Sequence, residues 1–191
     1  MSRRLKIGDL APLFSATDVK GKKVSIKDYH DKYLLVVFMR YAGCPWCNLA
    51  IHRLSLEHKL LLNSDCSVIA FVQSSKENII NNIFSIHEKK PPFPVISDQL
   101  MSTYAKYKVI PSALGAAKMI SFVPHWVHAV RKGGYKQKNI DGSLFLVPAA
   151  FLITPYSRKI LRADYSANMY DHETFSDVYN TIAEHKINGD A

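Results

Sequence analysis

Cys44, Pro45, Trp46 and Cys47 are the residues whose types and spacing point most directly to chemistry. Two cysteines three residues apart, after a buried apolar run and at the start of a helix-compatible segment, form the arrangement of a redox dithiol. On a first helical turn, positions i and i+3 share a face, so the two sulfurs can meet. The unpaired N–H groups and the positive end of the helix dipole favour a thiolate there. The thiolate is the species that attacks peroxides and disulfides. Whether one sulfur attacks a substrate disulfide or is first oxidised to a sulfenic acid, the pair ends as a Cys44–Cys47 disulfide. The more N-terminal sulfur is usually the more exposed and feels the dipole most, which makes Cys44 the expected nucleophile and Cys47 its resolving partner. The alternative is a packing dithiol without turnover.

The elements that must position this pair are legible on both sides. Leu34 to Met39 is a continuous apolar run, as expected for a central strand covered on both faces. Pro45 suits the first position of a helix that runs to about Leu62, with Leu49, Ile51, Leu54, Leu56, Leu60 and Leu61 as a broad apolar face. Val68 to Val72 reads as a second buried strand. A helix opening at Ser75 carries Ile79, Ile80, Ile83, Phe84 and Ile86, and Pro91–Pro92 breaks the chain after it. Phe93 to Asp98 is a short strand ending on a cap residue, and Gln99 to Tyr107 is a short helix. Ala149 to Thr154 and Ile160 to Ala163 form a hairpin, and Glu173 to about His185 is an amphipathic helix. Strands alternating with helices, then a late hairpin, predict an α/β fold with a mixed β-sheet.

Residues 112–146 break the alternation and read as an insertion. Ala113 to about Val130 forms one helix or two short ones, interrupted at Pro124, and Gly133–Gly134 and Asp141–Gly142 signal turns. Met119, Phe122, Val123 and Trp126 either pack this insertion on its own domain or line a pocket or a subunit interface.

Three residues are candidates to support the dithiol, each with a plainer alternative. Arg40, between strand and turn, stabilises a thiolate, holds a peroxide oxygen, or makes a surface ion pair. Trp46 shields the site or packs locally. Cys66, just before an apolar strand, reads as a buried inert thiol rather than a resolving one. Cys44, Cys47, His52 and His58 all fall on one turn and helix, whereas structural zinc sites spread their ligands, so no metal is expected. His125, His128 and His172 have no evident partner.

Composition sets the outer bounds. A chain of 191 residues fits one domain, 1–191, with a sizeable core. Hydrophobic residues make up 48% and charged residues 21%, which excludes a disordered chain. No apolar stretch approaches a membrane span, no secretory signal is evident at the start, and three cysteines do not make a disulfide framework. A cytoplasmic location is the expectation. The net charge of +9 is mostly scattered. Its one cluster, Arg131, Lys132, Lys136 and Lys138, reads as a solvated face, and no nucleic acid or membrane partner is expected.

Four segments together resemble the thioredoxin-fold redoxins, and more narrowly the peroxiredoxin-like proteins of the alkyl hydroperoxide reductase/thiol-specific antioxidant family. They are Ile7 to Phe14, Gly21 to Ile26, Phe38 to Cys47, and Phe93 to Asp98 followed by Tyr104 to Val109. Pro148 to Ile153 is similar to the strand that follows the proline facing the active site in thioredoxin-like proteins. The resemblance implies a thioredoxin-like fold, a central mixed sheet flanked by helices. It implies a thiol-dependent antioxidant oxidoreductase that reduces peroxides or protein disulfides through Cys44 and Cys47. A dithiol donor, such as a thioredoxin or glutaredoxin system, would recharge it, with no bound cofactor and with homodimer formation possible. It also implies a cis peptide bond at Pro148, beside the dithiol. By the same resemblance Cys44 takes the position of a thioredoxin's attacking thiol and Cys47 that of a peroxiredoxin's peroxide-cleaving thiol, and the chain departs from usual peroxiredoxins in three places: the threonine position is Cys44, an earlier proline position is Arg40, and the position of a later arginine is Pro148. Thiol–disulfide exchange gains weight accordingly. The alternative is a redoxin-fold binding module or redox sensor that uses the basic insertion as its partner surface.

Overall fold

The computed structural model describes residues 3–111, 127, 130–131, 134–165 and 172–189. Strands Ser15–Thr17 (β1) and Lys23–Ser25 (β2) form a small antiparallel hairpin, turned at Gly21 with φ 91°. The main sheet has five strands: Tyr33–Met39 (β3), Cys66–Val72 (β4), Val95–Ser97 (β5), Ala149–Ile153 (β6) and Ile160–Asp164 (β7). Their order is β5-β4-β3-β6-β7. β3, β4 and β5 run parallel, and β6 is antiparallel to both β3 and β7. The helices are Pro45–Asn63 (α1), Lys76–Ile79 (α2), Ser102–Lys106 (α3) and His172–Gly189 (α4). α2 continues as a π-helical turn over Ile80–Phe84. The expected α/β fold, a mixed sheet flanked by helices, is what the chain forms.

All seven residues of β3 and all seven of β4 are buried, which explains their unbroken apolar runs. Alternate side chains enter opposite cores, as the period of two requires. Leu35, Val37 and Met39 meet Ala50, Ile51 and Leu54 of α1, with Ile79, Ile83, Val178 and Ile182. Leu34, Val36 and Phe38 face Phe14, Tyr104, Tyr107 and Phe151 on the other side. Phe38 stacks on Phe71 at 5.1 Å and meets Tyr104 edge-on at 4.9 Å. These rings fix the end of β3 from which the dithiol turn departs.

The apolar face of α1 is narrower than its sequence suggests. Ile51, Leu54 and Leu61 are fully buried, whereas Leu56 and Leu60 are 58% and 53% exposed. At 3.6 residues per turn, position 56 lies on the far side of the helix from Leu54, so the sheet covers one stripe only. Asp98 caps the chain after β5 as expected, accepting from the N–H groups of Ser102 and Thr103 at 2.9 and 2.7 Å.

Most of the expected insertion, including Met119, Phe122, Val123, Pro124, His125, Trp126, His128, Lys132 and Gly133, lies outside the described residues. Its last part, residues 134–146, is described. It runs as an extended strap without helix or strand, past the C-terminal end of β3 and into β6. Among the described residues, no helix is long and apolar enough to cross a membrane.

Candidate active site

β3 ends at Met39, and the chain turns through Arg40 to Gly43 before α1 begins. The N–H of Cys44 donates to the carbonyl of Tyr41 at 3.2 Å, which closes the turn. Cys44 occupies the N-cap position of α1 with extended backbone (φ −79°, ψ 122°), and Pro45 is the first helical residue. Cys47 is therefore the third residue of the helix, so the spacing read from the sequence places both thiols on its first turn.

The two thiols share one proton network. Cys44 is pulled down from its usual value to about 6, against the cost of its own burial. The largest cause is the hydrogen bond with the Cys47 thiol, followed by the charge of Arg40 and the N–H groups of Cys47 and Trp46. Cys47 is pushed up, first because it holds its proton in that bond, then by burial and by the neighbouring Cys44 charge. One thiolate and one thiol is thus the stable state near neutrality.

Arg40 is only 5% exposed, so it is not the surface ion pair that its sequence position left open. Its Nη1 lies 3.9 Å from Cys44 Sγ, and Nη2 donates to the carbonyl of Leu144 at 3.1 Å. The guanidinium sits 5.1 Å from the centre of the Tyr41 ring. Its Nε is buried without a hydrogen-bond partner among the described residues. A desolvated guanidinium favours any neighbouring negative charge, here the thiolate.

The structure corrects one expectation about Cys44. It is 1% exposed and Cys47 is 3% exposed, so the N-terminal sulfur is no more open than its partner. Trp46, 6% exposed, packs in the core cluster that contains both thiols. The strap is bonded to the same turn. The Lys138 N–H and Gln137 Nε2 both donate to the Gly43 carbonyl, at 3.0 and 3.2 Å, and Tyr41 donates to Gln137 Oε1 at 3.2 Å. The Asn139 carbonyl lies where a side chain on Gly43 would begin, so only glycine allows this approach.

A second correction concerns Pro148. It is buried and, from the pairing of Ala149 with Phe38, lies level with Met39 beside the strand that delivers Arg40. Among the described residues every peptide bond is trans, the one preceding Pro148 included.

Several polar residues that the sequence reading passed over hold the turn in place. The Asn48 Nδ2 donates to the carbonyls of Ala42 and Cys44, at 2.8 and 3.2 Å. Its Oδ1 then accepts from His87 Nε2 at 3.1 Å, and Tyr135 lies within 3.5 Å of His87 Nδ1. His87 is lowered to about 4, first by burial and then by His52, so it is neutral near pH 7. The signal for Asn48 was a lone amide on the buried side of an apolar helix, one residue past the dithiol. His52 stacks on His87 with ring centres 6.1 Å apart, and His58 packs on Phe93 at 5.7 Å. Neither histidine joins the thiols, and no cluster suited to a metal ion occurs among the described residues. Lys136 and Lys138 of the basic cluster line a cavity of about 520 Å³ between α1 and the strap, with His52, Leu56, His87 and Tyr135.

Comparison with known proteins agrees with this architecture. Residues 7–156 match the model of the AhpC/TSA family. The fold is similar to the peroxidoxin BcpB of Mycobacterium tuberculosis, at 14% identity and a TM-score of 0.66, covering 95% of this chain and 98% of that one. It is also similar to the yeast mitochondrial 1-Cys peroxiredoxin, at 18% identity and a TM-score of 0.71, covering 97% of this chain and 78% of that one. A third similar structure is a thiol:disulfide interchange protein DsbE of Chlorobium tepidum, described as putative, at 15% identity and a TM-score of 0.63, covering 94% and 97% of the two chains. No curated protein matches the chain.

Proposed function

The chain belongs to the AhpC/TSA family, and from that premise we propose that it is a thiol-dependent oxidoreductase that reduces peroxides or disulfides through Cys44 and Cys47. The observation that carries the reading is the hydrogen-bonded pair of thiols on the first turn of α1, with the Arg40 guanidinium 3.9 Å from Cys44. Cys44 is the nucleophile because its ionised form is favoured, and Cys47 resolves because it keeps its proton beside that charge. Chain length and a main sheet that draws its five strands from residues 33–164 support one domain over residues 1–191.

With a peroxide, the Cys44 thiolate attacks the near oxygen. An S–O bond forms, the O–O bond breaks, and the leaving alkoxide or hydroxide takes up a proton. Cys47 then attacks the sulfenic sulfur and releases water, which leaves the Cys44–Cys47 disulfide. With a disulfide, Cys44 forms a mixed disulfide and expels one substrate thiolate. Cys47 then displaces the second. In both routes the first step removes the charge on Cys44. That charge and the shared hydrogen bond were holding Cys47 protonated, so Cys47 ionises more easily once Cys44 is bonded. Arg40 is the cation left beside the second thiolate. An external dithiol donor of thioredoxin or glutaredoxin type reduces the pair again.

The test is addition of one equivalent of hydrogen peroxide to the reduced protein, followed by peptide mass spectrometry. The expected product is a Cys44–Cys47 disulfide, formed through a sulfenic acid that Cys47→Ser traps on Cys44. An insulin-type disulfide assay without peroxide measures the second route. Turnover that survives both single serine variants in both assays overturns the reading.

A further inference from the structure

The strap is bonded to the turn that carries the buried dithiol, and one carboxylate supplies three of its fastenings. Asp141 accepts from the Ser74 hydroxyl at 2.6 Å, from the Ser75 N–H at 3.0 Å and from Asn78 Nδ2 at 2.7 Å. All three donors lie between the end of β4 and the first turn of α2. The Ser74 hydroxyl also accepts from the Ala42 N–H at 2.8 Å, so the same group ties the strap to the dithiol turn. The next residue, Gly142, passes so close to Gln73 that a Cβ would lie 2.6 Å from the Gln73 carbonyl oxygen, and Ser143 N–H donates to Gln73 Oε1 at 2.8 Å. On the other flank the Gly43 carbonyl receives its two bonds from residues 137 and 138.

A disulfide presented on a protein surface must bring its flanking backbone against the attacking sulfur, because displacement at sulfur needs an in-line approach. Cys44, only 1% exposed as a residue and beside a bonded strap, does not admit such a partner. A molecule the size of hydrogen peroxide needs only a small fluctuation. From this we infer that the strap, residues 134–146, is a size filter over the dithiol and that Asp141 is its latch. Asp141 is a specificity-determining residue. While it holds, small peroxides are the favoured oxidants, and release of the strap opens the site to protein disulfides. This rests on the reading of Cys44 as the reacting thiol and narrows its substrate class.

The strap is also wired to the thiolate. Arg40 touches Cys44 Sγ through one nitrogen and holds the strap carbonyl of Leu144 through the other. Oxidation of Cys44 removes the anion from one side of that guanidinium while leaving the strap contact on the other.

The experiment compares two alkylating reagents on the reduced protein, iodoacetamide and a maleimide carrying a long polyethylene glycol chain, with peptide mapping of Cys44. In the native protein iodoacetamide should win by a wide margin relative to a small free thiol. Asp141→Ala should raise the Cys44 labelling rate with the bulky reagent about tenfold or more, because three charge-assisted bonds are lost, and change the iodoacetamide rate by less than about threefold. It should raise insulin-type disulfide reduction in parallel, with hydrogen peroxide turnover nearly unchanged. Equal acceleration of both reagents means general loosening and overturns the filter, as does no change in either. If Asp141→Ala fails to fold, Asn78→Ala, which removes one of the three bonds, decides: a selective rise of about threefold supports the latch and none overturns it. Labelling requires no turnover, so a chain inactive with every substrate would refute the enzymatic reading while leaving the filter standing or falling on its own ratio.

Discussion

Cys44 and Cys66 are the same residue type, equally buried, at opposite ends of the same pair of parallel strands. Cys66 starts β4 opposite Tyr33, the first residue of β3, and is fully buried. Burial pushes its thiol up to about 12. Cys44 follows the far end of β3, is 1% exposed, and is pulled down to about 6. Burial opposes ionisation at both ends. What reverses the outcome at Cys44 is the set of groups gathered there: a second thiol that donates to it, the Arg40 guanidinium and the N–H groups of a starting helix. At Cys66 burial outweighs everything else: the Leu35 N–H and the charge of Lys186 favour the thiolate, Asp65 opposes it, and the sulfur lies 3.6 Å from the Ser67 carbonyl. Reactivity in this fold therefore belongs to the end of the sheet where strands lead into helices, the general rule for open α/β sheets.

The sharpest way to break that comparison is to remove each sulfur in turn. Cys44→Ser should reduce peroxide and disulfide turnover to background. Cys47→Ser should stop turnover after the first chemical step, with a sulfenic acid or mixed disulfide accumulating on Cys44. Cys66→Ala should leave turnover within about twofold and cost about 1 kcal/mol of stability through the small cavity it opens. Steady-state assays and denaturant melts of the three variants are sufficient. A Cys66 variant as inactive as Cys44→Ser would show that the local charges do not separate the two ends.

A smaller effect isolates the cation. Arg40→Met keeps much of the buried volume but deletes the charge 3.9 Å from Cys44 Sγ. An opposite charge at that range lowers a thiol by one to three units, so alkylation of Cys44 at pH 7 should slow by about tenfold and its titration move toward the ordinary thiol range. Arg40→Lys should fall between the two, since it restores charge but cannot hold Leu144 and reach the sulfur at once. A titration that does not move in Arg40→Met assigns the thiolate to the helix and Cys47 alone.

Much of this contrast was legible in the sequence. The spacing of Cys44 and Cys47, Pro45 between them and the apolar run before them place the dithiol on a first helical turn. The position of Cys66 at the start of an apolar strand marked it as buried. Those features are local, set by neighbours in the chain. The cover of the site is not local: Gln137, Asp141 and Leu144 reach it from about a hundred residues away, and no periodicity announces a strap. For the same reason the exposure of Cys44 was misjudged, and the partners of Asn48 and His87 were not foreseen. The apolar face of α1 was overread because leucines serve a helix surface nearly as well as its core. Leu56 lies two residues, more than half a turn, from Leu54, so its exposure follows from the helical period.

The gentlest test of the comparison is the pH dependence of stability. Cys44 titrates near 6 when folded and near 8.5 when unfolded. Between those values the unfolded chain holds a proton that the folded one has released, so the reduced protein should gain stability as pH rises through this window and lose it as pH falls through about 6. Cys47 and Cys66 are raised, and their contributions are lost above the unfolded thiol value, so the gain should stop there and reverse. His87, lowered to about 4, acts in the same direction as Cys44 but at lower pH, because the unfolded imidazole takes up its proton from about 6.5 downward. Oxidation separates the two groups. A Cys44–Cys47 disulfide has no thiol to titrate, so denaturant melts of the oxidised protein should lose the Cys44 part of the slope between pH 6.5 and 8 while the His87 part, centred lower, remains. A slope between pH 6.5 and 8 that is the same in reduced protein, oxidised protein and Cys44→Ser would place the Cys44 thiol in the ordinary range and remove the difference between the two ends of the sheet.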